Sequence, residues 1–139
     1  MKSYIKRFGT EYGGFYYPAD LPGLDENSTV CCVGAGEDIT HDLMVAHTLK
    51  SNVYIFDPTP RAKQHVEMVK DYLACKEVPN FINKSGHREV GGGIGWQNYW
   101  KEISKCDVSS ESVIFLPVAL STSVSREKFY NPDNSEHVS

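Results

Sequence analysis

Thr29-Val30-Cys31-Cys32-Val33-Gly34-Ala35-Gly36-Glu37-Asp38 is the stretch on which the fold turns. Five successive uncharged residues, Thr29 to Val33, suit a strand covered on both faces, as in a parallel sheet; a half-exposed strand would alternate. The Gly-x-Gly that follows reads as a tight turn into a helix running to about Lys50, with Asp38 or Thr40 accepting hydrogen bonds from its first free amides. Ile39, Leu43 and Ala46 give that helix a buried stripe.

Downstream, Val53-Tyr54-Ile55-Phe56 reads as a second strand ending at Asp57. Its following helix carries the clearest local signal: Thr59 suits the N-cap, Pro60 the first helical position, and Ala62, Val66, Val69 and Leu73 recur at spacings of four, three and four. Strand, helix, strand, helix implies parallel strands joined by right-handed crossovers, hence a doubly wound α/β sheet. Trp96 to Lys105 reads as a short helix, on which Trp96, Tyr99 and Trp100 bury one side. Val113 to Ala119 reads as a third buried strand that tolerates Pro117 near its end, and Lys128 to Tyr130 as a short strand before a polar tail. Residues 77–95 read as irregular, and Gly91 to Gly95, without the Lys-Ser/Thr of a phosphate loop, as a flexible connection. Residues 1–27, rich in aromatics and turn formers, read as a lead-in that packs on the domain and covers sheet surface. The domain proper is then 28–139.

With 139 residues, 40% apolar, 12% aromatic and 23% charged, the chain fits one soluble globular domain. A net charge of -4 without a basic stripe argues against nucleic acid as a partner. Lys2, Lys6 and Arg7 precede no apolar stretch, and no run approaches a membrane span, so a cytoplasmic protein without a membrane partner is expected. Cys31, Cys32, Cys75 and Cys106 form neither a CxxC pair nor a His/Cys set at zinc spacing. No metal is expected, and Cys31 and Cys32 read as small strand hydrophobes. His41, His47 and His65 read as surface or boundary residues of helices, and His87 and His137 as solvated.

A glycine turn between strand and helix, followed 23 residues after Gly34 by an acid closing the next strand, is the geometry of a nucleoside site. The glycines admit a cofactor to the backbone, and Asp57 accepts from the ribose hydroxyls. The dinucleotide fingerprint wants a third glycine where this chain has Ile39, and a pyrophosphate where it has Glu37 and Asp38. Each carboxylate would repel that group by roughly 1 to 4 kcal/mol. A ligand with a ribose, a positive centre and no phosphate suits the turn better, and S-adenosylmethionine is such a ligand. A nicotinamide-dependent oxidoreductase is disfavoured on the same grounds. The cofactor-binding candidates are Gly34, Ala35, Gly36, Glu37, Asp38 and Asp57. The plainer reading makes the glycines a tight turn and Asp57 a strand-end cap, with Glu37 and Asp38 favouring the positive helix end.

Residues 30–43, Val-Cys-Cys-Val-Gly-Ala-Gly-Glu-Asp-Ile-Thr-His-Asp-Leu, together with 53–60, Val-Tyr-Ile-Phe-Asp-Pro-Thr-Pro, resemble the FkbM-type methyltransferases, a branch of the class I S-adenosylmethionine-dependent enzymes. Gly9, Tyr12-Gly13-Gly14, Phe115-Leu116-Pro117, Ala119-Leu120, Phe129-Tyr130 and Glu136-His137-Val138-Ser139 extend the likeness along nearly the whole chain. The resemblance implies a Rossmann-like three-layer sandwich, cofactor contacts at Gly34, Gly36 and Asp57, and methyl transfer to a hydroxyl such as one on a sugar or glycan. Class I enzymes use about seven strands, and this chain supplies the first three plus a short addition. It therefore reads as a partial, amino-terminal half of that fold, truncated at the carboxyl end and inactive alone. The alternative is a non-catalytic nucleotide-binding or assembly module. The open edge of the first strand predicts a homodimer or larger assembly.

Overall fold

The computed structural model describes residues 4–79, 95–126 and 128. In chain order the elements are β1 (Ile5–Phe8), β2 (Phe15–Pro18), β3 (Val30–Val33), α1 (Thr40–Leu49), β4 (Val53–Phe56), α2 (Pro60–Cys75), α3 (Trp96–Ile103), a single 3-10 turn (Ser110–Ser112) and β5 (Val113–Leu116). The chain is thus mixed α/β. Its larger sheet has the order β3-β4-β5, all parallel, with Val30, Val53 and Val113 in one row and Val33, Phe56 and Leu116 in another. The strand and helix order expected from periodicity is present. The third strand stops at Leu116, short of Ala119, because Pro117 has no N–H for the ladder and Val118 N–H turns back to the Leu116 carbonyl at 2.8 Å. The strand expected at Lys128 to Tyr130 lies, apart from Lys128, outside the described residues, as do Gly91 to Ile94, His87 and His137.

Strand alternation decides where the core sits. Val53, Ile55 and Val113 are fully buried and share a cluster with Leu43 and Ala46 of α1, Val66, Val69 and Leu73 of α2, and Tyr99, Trp100 and Ile103 of α3. Two consecutive right-handed crossovers that advance in one direction place α1 and α2 on the same face, and α3 joins them there. The alternate residues, Cys31, Val33, Tyr54, Phe56, Ile114 and Leu116, point the other way and take no part in either hydrophobic cluster. Val33 is 64% exposed. Among the described residues the architecture is therefore two layers, helices on one face of a sheet, rather than the expected three.

The lead-in holds an element the periodicity did not announce. β1 and β2 pair antiparallel as a hairpin, Phe8 opposite Phe15, and the pair lies chiefly against α1, with Val30 of β3 packed at the edge of the same cluster. Only Phe8 is sunk; with Leu21 it meets Val45 and Leu49 on the second apolar side of α1. Because Ile5, Phe15 and Tyr16 remain exposed, the hairpin shows no period of two. Arg7 organises its loop, donating from Nε to the Thr10 carbonyl at 2.8 Å while its guanidinium stacks 5.1 Å from the Tyr16 ring centre. Gly14 is there because the loop closes on itself: a Cβ at that position would fall inside contact distance of the Thr10 and Phe8 carbonyl oxygens.

Candidate functional site

β3 and β4 are neighbours and parallel, so their carboxyl ends lie side by side, and the turn after β3 faces the acid after β4. Gly34 and Gly36 take φ values of 86° and 50°, in the region that disfavours side chains, and a Cβ at either would meet nothing described within 4 Å. The turn thus leaves its backbone open to an approaching ligand. Asp57 is buried beneath it. One carboxylate oxygen accepts from the Ala35 amide at 2.9 Å and the Gly36 amide at 3.4 Å; the other accepts from the Thr59 amide at 2.9 Å and the Thr59 hydroxyl at 2.6 Å. Burial alone would raise the Asp57 pKa, but these bonds from Thr59, Ala35 and Gly36 outweigh it and hold the carboxyl below its ordinary range. Four donors fill about as many positions as a carboxylate offers. Asp57 therefore locks the end of β4 to the turn of β3 and at the same time caps the approach to α2.

From below, the turn is held by two residues the sequence reading did not single out for chemistry. His65, expected at the surface or boundary of its helix, is 5% exposed, and its Nδ1 lies 3.0 Å from the Gly36 carbonyl and its Nε2 2.7 Å from the Tyr99 hydroxyl. A carbonyl can only accept, so Nδ1 carries the proton, and Nε2 accepts from the Tyr99 O–H. The Tyr99 oxygen in turn accepts from the Ile39 amide at 3.3 Å. Burial holds the His65 pKa down at about 4, with Gly36 and Asp38 opposing and Arg61 reinforcing the effect, so the ring is neutral at pH 7. Its sequence position carries the signal: His65 lies three residues after Ala62 and four before Val69, inside the buried stripe of α2.

Glu37 and Asp38 are committed within the protein. Glu37 forms an ion pair with Arg61 on the first turn of α2. Asp38, one residue before the Ile39 N-cap position, accepts from the first amide of α1, that of Thr40, at 2.9 Å, as expected, and from the Thr40 hydroxyl at 2.6 Å. Its second oxygen accepts from the Thr10 hydroxyl, which ties the hairpin loop to the helix. The Thr10 amide donates to Thr40 Oγ1 at 3.0 Å and closes the network.

A separate group forms on the α1 side of β3. Cys32, His41 and Asp42 bring one donor atom each within 4.8 Å of one another, although no local spacing of the kind seen in zinc motifs joins them. Cys31 is exposed on the opposite face, so the two adjacent cysteines have different surroundings. His47 accepts from the Asp107 amide at 3.0 Å, a boundary role as expected. A shallow groove between α2 and the end of β5, lined by Lys63, Val66, Glu67, Lys70, Asp71, Phe115 and Pro117, lies away from the glycine turn. No described helix is long and apolar enough to cross a membrane. No family model, curated protein or solved structure matches the chain.

Proposed function

We propose that the chain binds an adenosine cofactor of the S-adenosylmethionine type at the carboxyl ends of β3 and β4, as the cofactor half of a Rossmann-like, FkbM-type methyl-transfer site. The observation that carries this reading is the contact of Asp57, at the end of β4, with the open Gly34-Ala35-Gly36 turn at the end of the adjacent parallel strand. Ligands of open α/β sheets bind at the carboxyl ends of the strands. The ionised Asp57 exchanges its long Gly36 bond for a ribose hydroxyl, and the side-chain-free turn admits the adenosine. Glu37, Asp38 and Asp57 stand against one guanidinium, Arg61, a balance that disfavours a pyrophosphate. S-adenosylmethionine supplies an electrophilic methyl group for an acceptor hydroxyl. Both nitrogens of His65 are engaged, which removes it as a base for that hydroxyl.

A second reading, a non-catalytic assembly module, draws on the saturation of Asp57 by three amides and the Thr59 hydroxyl and on the sheet face that no described helix covers. Titration calorimetry separates the two. The cofactor reading expects one S-adenosylhomocysteine per chain, at least tenfold weaker binding in Asp57→Asn, and weaker binding of NAD. A folded protein that ignores S-adenosylhomocysteine at millimolar concentration supports the assembly module, and tighter binding of NAD contradicts the cofactor reading.

A further inference from the structure

We propose that Cys32, His41 and Asp42 form a binding site for a zinc-class divalent ion, tying the edge strand β3 to the first turn of α1. The three residues come from two elements, yet their donor atoms already lie within 4.8 Å of one another, so about an ångström of closure brings them to the ligand separations of a tetrahedral ion with bonds of about 2.0 to 2.3 Å. The donor set is chemically selective. Thiolate, imidazole and carboxylate together suit zinc, whereas calcium and magnesium take all-oxygen shells.

Independent features point the same way. The Nε2 of His41 is buried and has no hydrogen-bond partner, which is costly for a polar atom away from water. The ring is held in place by Phe15, edge-on at 5.2 Å, and by Tyr17 at 5.7 Å, both from β2, so ring packing orients it. Asp42 is buried, and its described side-chain partner is the Cys32 thiol. On binding, that thiol releases its proton to solvent, and the sulfur and the carboxylate oxygen turn to the ion. Three protein donors leave the fourth position of the ion to water or an outside ligand. This inference does not rest on the cofactor reading, since neither Asp57 nor the glycine turn takes part.

Cobalt(II), a spectroscopic stand-in for zinc, provides the test on the metal-free full chain. The expected result is saturation at one ion per chain with a sulfur-to-metal charge-transfer band, displaced by zinc. Cys32→Ser abolishes that band, while His41→Asn and Asp42→Asn each weaken affinity at least tenfold. Cys31→Ser, altering the neighbouring cysteine on the other face, leaves band and affinity unchanged. X-ray absorption on the zinc-loaded wild type needs no variant and is expected to count one sulfur ligand. Loss of the band in Cys31→Ser, a sulfur count of zero or two, or the absence of a stoichiometric site overturns the proposal.

Discussion

His65 shows how one residue couples the site to pH. Its ring is neutral and doubly hydrogen-bonded in the folded chain, with a pKa near 4 against an ordinary 6.5, while in the unfolded chain it protonates freely. A folded pKa lower than the unfolded one means full stability above about pH 6.5 and progressive loss as the pH falls towards 4, in total about 3 kcal/mol. Asp42 acts in the opposite sense over much of this range, because burial raises its pKa to about 6 and its contribution grows as the pH falls. The difference between wild type and a non-titrating variant isolates the histidine. His65→Asn is expected to be less stable than wild type at pH 7, having left the Tyr99 hydroxyl without its acceptor, and to lose that disadvantage between pH 6.5 and 4. Urea midpoints across this range check it, and parallel profiles would contradict a ring held neutral by burial. The position of His65 in the buried stripe was legible in the sequence. Its partner was not, because Tyr99 lies 34 residues away on a helix whose docking only the fold reveals.

Among the elements, α2 was the most legible, because every local signal agreed: Thr59 does cap it, accepting from the Ala62 amide at 3.3 Å, and Pro60 occupies its first position. Thr59 has a second duty, since its hydroxyl and amide both donate to Asp57. Thr59→Ala therefore removes a cap worth about 0.5 to 2 kcal/mol and also a bond that keeps Asp57 ionised. The expected outcome is a loss at the upper end of that range, compared with Thr59→Ser near wild type, by thermal or urea unfolding. Equal stability of all three would show that the cap is idle. The β1–β2 hairpin was illegible for a physical reason: with only Phe8 fully buried, its strands had no alternation to display. The same holds for Cys32, His41 and Asp42, whose approach depends on how β3 and α1 pack and not on any sequence interval.

For the whole molecule the decisive feature is asymmetry. Helices cover one face of the β3-β4-β5 sheet, while Cys31, Val33, Tyr54, Phe56, Ile114 and Leu116 form the other, and β3 has a strand neighbour on one side among the described residues. An apolar face beside a strand edge without a described neighbour offers a template for association. A second copy meeting it by two-fold pairing is expected to bury more than about 1,000 Å². Size exclusion with light scattering is expected to show a dimer or larger species for wild type. Val33→Lys, which places a charge on a side chain already 64% exposed, is expected to yield a folded monomer with little change in melting temperature. A wild-type monomer at micromolar concentration contradicts this. The uncharged run from Thr29 to Val33 made the strand legible and suggested cover on both faces. It could not say that the described helices cover only one.

The turn of Gly34, Ala35 and Gly36, locked by Asp57 and supported by His65, is the proposed cofactor cradle. Amide chemical-shift mapping with S-adenosylhomocysteine tests it most directly. Saturable shifts are expected at Ala35, Gly36, Asp57 and Thr59, with Lys63, Lys70 and other residues of the α2 groove unmoved. Shifts confined to that groove, or none at millimolar ligand while the chain remains folded, would contradict it.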